Sequence, residues 1–169
     1  FTKGYMLIGQ EKVEVIDVPG TYTLEPTCKA EEVACEMFKE ATKSVVKDGD
    51  IIINVIDGTN LERNLYLTLE LMENDVPLIV ALNMWDDTEH KGIHIDIEAL
   101  SKWLNVPVIP TVAVTGQGFA KFIAEIYKAR TPKVREHTKG ERWGDIGEVV
   151  QKVQRIEHRH HTIWERLQD

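Results

Sequence analysis

Apolar residues fall along this chain in two rhythms, and the alternation between them outlines a fold. Apolar runs at 51–57 (interrupted by Asn54 and closed by Asp57), 77–82 and 106–110, rich in Val and Ile, have the length of strands buried on both faces. Between them the spacing turns helical. Leu61, Leu65, Leu69 and Met72 share one stripe, behind a Thr59-Asn60-Leu61-Glu62 stretch of capping-box form. Asp96 stands as an N-cap before Ile97, Leu100, Trp103 and Leu104. Two further helices are expected at about 30–46 and about 119–129. Near the start, residues 2–9 and 13–16 read as strands joined by a turn at Gly9-Gln10, a hairpin running into Asp17. Strands alternating with helices predict an α/β fold with a mostly parallel sheet covered on both faces.

The rhythm changes near Thr131-Pro132. Strand signals stop, and Trp143, Ile146, Val150, Val153 and Ile156 recur at helical spacing. Residues 131–169 carry eight Lys/Arg against seven Asp/Glu, whereas residues 1–130 carry twelve against twenty-one. The division expected is therefore an α/β domain over 1–130 and a small helical domain over 131–169.

Composition narrows the function class. The 169 residues suffice for one well-cored domain and a small appendage, and 43% hydrophobic with 28% charged residues is ordinary for a globular chain. A net charge of −8 argues against general nucleic-acid binding. No apolar run is long enough to span a membrane as a helix. Cys28 and Cys35 lack metal-site spacing and read as reduced thiols. The chain opens on Phe1 with a strand already in progress, which points to a piece of a longer protein.

Two tetrads carry the candidate chemistry. Asp17-Val18-Pro19-Gly20 follows the second strand. Ligands in open α/β sheets sit beyond the carboxyl ends of strands, and a carboxylate there can hold Mg²⁺ through one of its waters. Gly20 would let a bare backbone N–H approach a terminal phosphate; the competing reading is an ordinary Asp-x-Pro-Gly turn. Asn83-Met84-Trp85-Asp86 ends the strand at 77–82. A carboxylate at Asp86 can accept both the ring N–H and the exocyclic amine of guanine, donors adenine lacks, while Asn83 holds the loop. Asn-x-x-Asp alone is a common polar loop, but the order and strand context of both tetrads favour a guanine-nucleotide site. Val112-Ala113-Val114, after the strand at 106–110, is the third candidate loop, with small Ala113 letting backbone N–H groups reach the base oxygen. A phosphate cradle of the form Gly-x-x-x-x-Gly-Lys-Ser/Thr occurs nowhere in the sequence. His158, His160 and His161 cluster near the end, without a carboxylate or thiol to complete a metal site.

The stretches 17–24 (Asp-Val-Pro-Gly-Thr-Tyr-Thr-Leu), 60–69 (Asn-Leu-Glu-Arg-Asn-Leu-Tyr-Leu-Thr-Leu) and 81–86, with the tail 153–162, resemble the cytosolic GTPase domain and helical domain of FeoB, the ferrous iron transport protein B family. That resemblance implies a P-loop GTPase fold whose first strand, P-loop and switch I lie outside this sequence. It implies GTP and GDP as ligands, Mg²⁺ as cofactor with K⁺ assisting some members, and slow GTP hydrolysis tied to Fe²⁺ passage through a separate membrane domain. It places the chain at the cytoplasmic face of the cell membrane, with that membrane domain, and for some assemblies a second copy, as partner. In this frame Asp17 is the magnesium and switch residue, and Gly20, beside Val18 and Pro19, the γ-phosphate contact. Asn83 and Asp86, with Met84 and Trp85, read guanine, and Val112, Ala113 and Val114 form the last base loop. Thr21 stands where many small GTPases keep a water-positioning Gln, and Glu31 is the candidate switch-region acid. Two other classes stay open. One is a non-catalytic module that docks to a partner without turning over nucleotide. The other is a ribosome- or RNA-associated GTPase, against which the acidic balance and the 60–69 run count.

Overall fold

The computed structural model describes residues 2–18, 20–24, 50–74, 76–132 and 138–157 (the backbone alone at Lys139), with Lys29, Glu32, Val33, 35–37 and Lys39. Three strands form the centre: β3 (Ile52–Asp57), β4 (Leu78–Asn83) and β6 (Val108–Pro110) pair in the order β3-β4-β6, all parallel. Helix α1 (Leu61–Met72) links β3 to β4. Helix α2 (Trp85–His90), strand β5 (Ile93–Ile95) and helix α3 (Ile97–Leu104) link β4 to β6. Helix α4 (Phe119–Glu125) and a 3₁₀ turn at Ile126–Lys128 follow, then helix α5 (Lys139–Val153) and strand β7 (Gln154–Ile156). This is the α/β architecture with a parallel sheet that the alternating pattern predicts.

β4 explains why the sheet is two-sided. Its residues Leu78–Leu82 are all buried, as an unbroken apolar run requires when helices cover both faces. On one face Val80 and Leu82 join Ile56 of β3, Leu61, Leu65, Leu69 and Met72 of α1, Leu100 and Leu104 of α3, and Ile146, Val149 and Val153 of α5. On the other, Ile79 and Ala81 pack with Ile109, Phe122, Ile126 and Ile8. Helix α5 thus lays its apolar stripe into the same core as α1 and α3.

β1 (Thr2–Ile8) and β2 (Glu11–Asp17) form the expected hairpin, with Gly9 at φ +63° in the two-residue turn. It makes a separate sheet: among the described residues, β2 shares no ladder with β3. The hairpin is nevertheless fastened to the body. Ile8 sits in the Phe122 cluster, and the Tyr127 hydroxyl donates to Glu11 Oε2 at 3.1 Å. Partial desolvation, then the Glu11 carboxylate, raise the Tyr127 pKa above its usual value. Among the described residues the far edge of β3 is unpaired, and Ile53 and Val55, which share one face of that strand, are 38% and 62% exposed.

Four expectations need correction. The capping box at Thr59–Glu62 does not form: the Asp57 carboxylate accepts from Thr59 N at 2.8 Å over a 3₁₀ turn, and Asn60 caps α1 without a side-chain bond. The capping box that does form joins Thr138 and Glu141 ahead of α5. Strand signals do not stop at 131, because Gln154–Ile156 pairs antiparallel with β5, so Ile156 is an exposed strand residue and not part of the α5 stripe. β6 begins at Val108, two residues later than the apolar run, since Pro107 offers only its carbonyl, to Val80 N. The Asp96 cap stands as expected, accepting from Ala99 N at 2.9 Å. The helix expected at about 30–46 lies mostly outside the described residues; those described between Lys29 and Lys39 are helical.

Candidate functional site

The carboxyl ends of β3, β4 and β6 lie side by side, and the polar residues of interest emerge there. Register sets Asp57 opposite Asn83 and Leu82 opposite Pro110, so the loops after β4 and β6 start as neighbours. Asn83 ties them together. Its Oδ1 accepts from Ala113 N at 3.0 Å and from Thr111 Oγ1 at 3.5 Å. Two backbone bonds reinforce the join, Thr111 N to Leu82 O at 2.8 Å and Trp85 N to Thr111 O at 3.2 Å. One amide side chain therefore fixes the spacing of two loops, at an atom set by the last residue of a fully buried strand.

Met84 turns the chain through the left-handed region at φ 60°, a conformation a non-glycine residue adopts at a cost. The turn starts α2 at Trp85 and sets Asp86 in its first turn. Trp85 packs against the main core, and Thr88 locks the turn by donating to Trp85 O at 2.6 Å. Asp86 is half-buried, and its carboxylate has no hydrogen bond or ion pair among the described residues. A half-buried carboxylate without a donor is a group that a ligand carrying paired N–H donors satisfies. Gly58 closes the floor: a Cβ there would lie 2.9 Å from Thr88 Cγ2 and 3.2 Å from Asn83 O.

In the third loop the three candidates divide. Val112 is buried and its N–H donates to Gln117 O, so it is structural. Ala113 N–H is committed to Asn83, and Val114, 95% exposed, stands at the tip. Gly118 ends the loop at φ +82°, where a Cβ would lie 2.1 Å from Pro110 O.

Asp17 ends β2, exposed and without a partner among the described residues. Val18 and Gly20 are exposed beyond it, and nothing lies within 4 Å of a Cβ built on Gly20. Pro19 and Glu31 lie outside the described residues, as do Cys28 and the histidines at 158, 160 and 161. Asp17 belongs to the hairpin sheet, so among the described residues no strand ladder ties it to Asn83 and Asp86. A single free carboxylate suits Mg²⁺, which binds mainly water and phosphate. Among the described residues no group of three His, Cys, Asp or Glu gathers as an all-protein cage would require.

Glu70 and Arg142 drew no attention in the sequence. Glu70 is buried in α1 and accepts from Leu24 N at 2.6 Å and Thr23 Oγ1 at 3.2 Å, shortly after the 17–20 tetrad in the sequence. Arg142 of α5 reaches the same carboxylate at 3.3 Å and Glu73 at 2.8 Å. Burial works to lower the Arg142 pKa, but the bonds and charge of Glu73, with Tyr66, outweigh it and raise the value. The available signal was a charged residue inside Leu69-Glu70-Leu71-Met72, where both neighbours are core residues.

Against known proteins, the family described as ferrous iron transport protein B matches residues 2–126. The Fe(2+) transporter FeoB of Escherichia coli K12 is 43% identical over 133 residues, 75% of this chain and 16% of that protein. A Fe(2+) transport protein A/FeoB fusion protein of Porphyromonas gingivalis is 41% identical over 136 residues, 79% of this chain and 16% of its own length. The chain thus spans about a sixth of these curated relatives. Among solved structures, the cytosolic domain of L. pneumophila FeoB superposes with a TM-score of 0.77 at 29% identity, covering 90% of this chain and 83% of that one. The mGMPPNP-bound NFeoB of S. thermophilus superposes with a TM-score of 0.65 at 32% identity, covering 80% and 51%. Among the described residues no helix is long and apolar enough to cross a membrane.

Proposed function

This chain belongs to the ferrous iron transport protein B family, and from that premise we propose that it is the guanine-nucleotide-binding, GTP-hydrolysing part of a Fe²⁺ transporter, whose nucleotide state regulates Fe²⁺ passage through a membrane domain of the same protein. The observation that carries the reading is the Asn83 bridge: one side chain holds the β4 and β6 loops together beside an unpartnered Asp86. The likeness to FeoB domains bound to GDP or mGMPPNP supports it.

In this reading Asp86 accepts the two guanine donors, and the exposed Val114 N–H, next along from the committed Ala113, faces the base oxygen. Asp17 holds Mg²⁺ through water, and Mg²⁺ when bound neutralises charge on the phosphates. Gly20 offers its N–H to the γ-phosphate. The Thr21 hydroxyl donates to Thr23 O at 2.6 Å and so serves its own loop, which leaves orientation of the attacking water to other groups. Glu31 is our candidate for that role. The phosphate cradle would come from a β–α unit outside this sequence, its strand running along the open edge of β3 and its helix covering Ile53 and Val55. Residues 1–130 would then form the nucleotide domain and 131–169 the helical domain leading to the membrane. K⁺ assistance and self-association belong to the same proposal.

Asp86→Asn in the longer protein tests it. An amide facing two donors loses one charge-assisted bond and clashes with the second, so GDP affinity is expected to fall about 100-fold. Affinity for the xanthine nucleotide is expected to rise, read by titration with fluorescent nucleotides. Unchanged base preference would remove Asp86 from the site. The open β3 edge also favours a second reading, in which this segment docks to a partner through that edge without nucleotide. Saturable GDP binding by the longer protein decides against it.

A further inference from the structure

One buried carboxylate serves two parts of the molecule that the nucleotide site does not otherwise connect. Glu70 is 6% exposed. Its Oε2 accepts from the backbone N–H of Leu24, and its Oε1 is shared between the Thr23 hydroxyl and Arg142 Nη1. Thr23 and Leu24 fasten the chain to the body shortly after the 17–20 tetrad. Cys35, buried, adds to that attachment by donating to Leu24 O at 3.2 Å. Arg142 sits on α5, from the far end of the sequence, with Glu73 as its second carboxylate and Tyr66 beneath its guanidinium at 4.9 Å. Tyr66 in turn lies against Trp143, ring centroids 4.8 Å apart. The Arg142 Nε is buried without a partner, so the guanidinium is held by these contacts and no others among the described residues.

We propose that Glu70 is a positioning residue for the 23–24 segment that follows the phosphate-sensing Gly20, with its carboxylate held in place by Arg142 of the C-terminal helix. The inference rests on the guanine-nucleotide reading above. Removing a charged partner from a buried carboxylate leaves it short of a donor, at a cost well above that of a neutral hydrogen bond. The 23–24 segment and α5 therefore compete for, and stabilise, one orientation of one side chain. Any displacement of the segment by a γ-phosphate at Gly20 changes what Glu70 offers Arg142, and by reciprocity the seat of α5 changes the preference for that phosphate. Glu70 touches no nucleotide; its effect passes through the segment.

The test uses the full-length protein in detergent and compares GDP with a non-hydrolysable GTP analogue. Glu70→Gln supplies one acceptor oxygen and two unwanted donors, so the loop and Arg142 cannot both be satisfied. It is expected to change the ratio of analogue to GDP affinity about tenfold, with GDP affinity itself within about twofold of wild type. Thr23→Val leaves the Glu70–Arg142 pair intact and guards against a folding defect in the first variant; it is expected to move the ratio in the same direction by about threefold. A second readout isolates α5: the emission of Trp143, obtained as the difference from a Trp143→Phe variant. It is expected to respond to exchange of GDP for the analogue in wild type and to lose that response in Glu70→Gln. Folded variants with an unchanged affinity ratio and an intact Trp143 response would overturn the positioning role. Failure of the wild-type protein to bind either nucleotide would instead overturn the guanine-nucleotide reading itself.

Discussion

Asn83 and Gly118 show how few residues set the geometry of the candidate site. Asn83 was legible because its tetrad follows a strand that reads as buried on both faces, and that context fixes the direction of the next residues. The way it acts was less legible: sequence spacing does not say that its Oδ1 binds Ala113 N, thirty residues on. Glu70 escaped notice for a related reason. An acid on a helix is usually solvated, and only the tertiary approach of Thr23, Leu24 and Arg142 makes this one buried. Gly118 gives the residue-scale prediction. A Cβ there meets Pro110 O at 2.1 Å on a backbone at φ +82°. Gly118→Ala is therefore expected to cost about 2 kcal/mol or more, since the left-handed conformation alone costs about 1–2. Differential scanning calorimetry should record a fall in Tm of about 4–8 °C for a chain of this size. An unshifted Tm would mean that the β6 loop relaxes without the close approach, and that its hold on Asn83 is loose.

At the scale of elements, periodicity named the hairpin, the three central strands and the longer helices, and it missed the short elements α2, β5 and β7 as well as some ends. Helix α1 starts after a 3₁₀ turn because Asp57, the last residue of β3, accepts the Thr59 N–H and caps that turn, in place of a Thr59 cap on α1. β7 was invisible because so short a strand carries no period, and its pairing partner β5 lies far back in the sequence. A local N-cap needs no such distant partner, which is why Asp96 was readable. Asp96→Ala is expected to cost about 1 kcal/mol, or about 2–4 °C in Tm, by removing the bond to Ala99 N. The same change should leave nucleotide binding untouched, because α3 lies on the core side of β6 and contributes Leu100 and Leu104 to packing alone. A loss of nucleotide affinity in a folded Asp96→Ala protein would show that α3 bears on the β6 loop.

For the molecule as a whole, the edge of β3 that is unpaired among the described residues carries the last prediction. A parallel sheet with both faces covered has no reason to expose Ile53 and Val55, yet they are exposed on a strand whose other edge is fully paired. Among the described residues the hairpin shares no ladder with that edge, although Ile8 and Tyr127 fasten it to the body. Period-two geometry says which amides face that edge. Ile52 N donates to Pro77 O on the β4 side, so the N–H groups of Asn54 and Ile56 share that side, and those of Ile53 and Val55 point the other way. In the 169-residue chain, hydrogen exchange measured by NMR is expected to be slow at Asn54 and Ile56 and fast at Ile53 and Val55. Adding the upstream segment that supplies a strand should protect Ile53 and Val55 by at least about a hundredfold, the difference between a solvated amide and one within a sheet core. Protection already present in the shorter chain, independent of its concentration, would mean that β2 closes onto β3 by itself. In that case the space for a phosphate-binding unit would not exist, and the docking reading would displace the nucleotide reading for this segment.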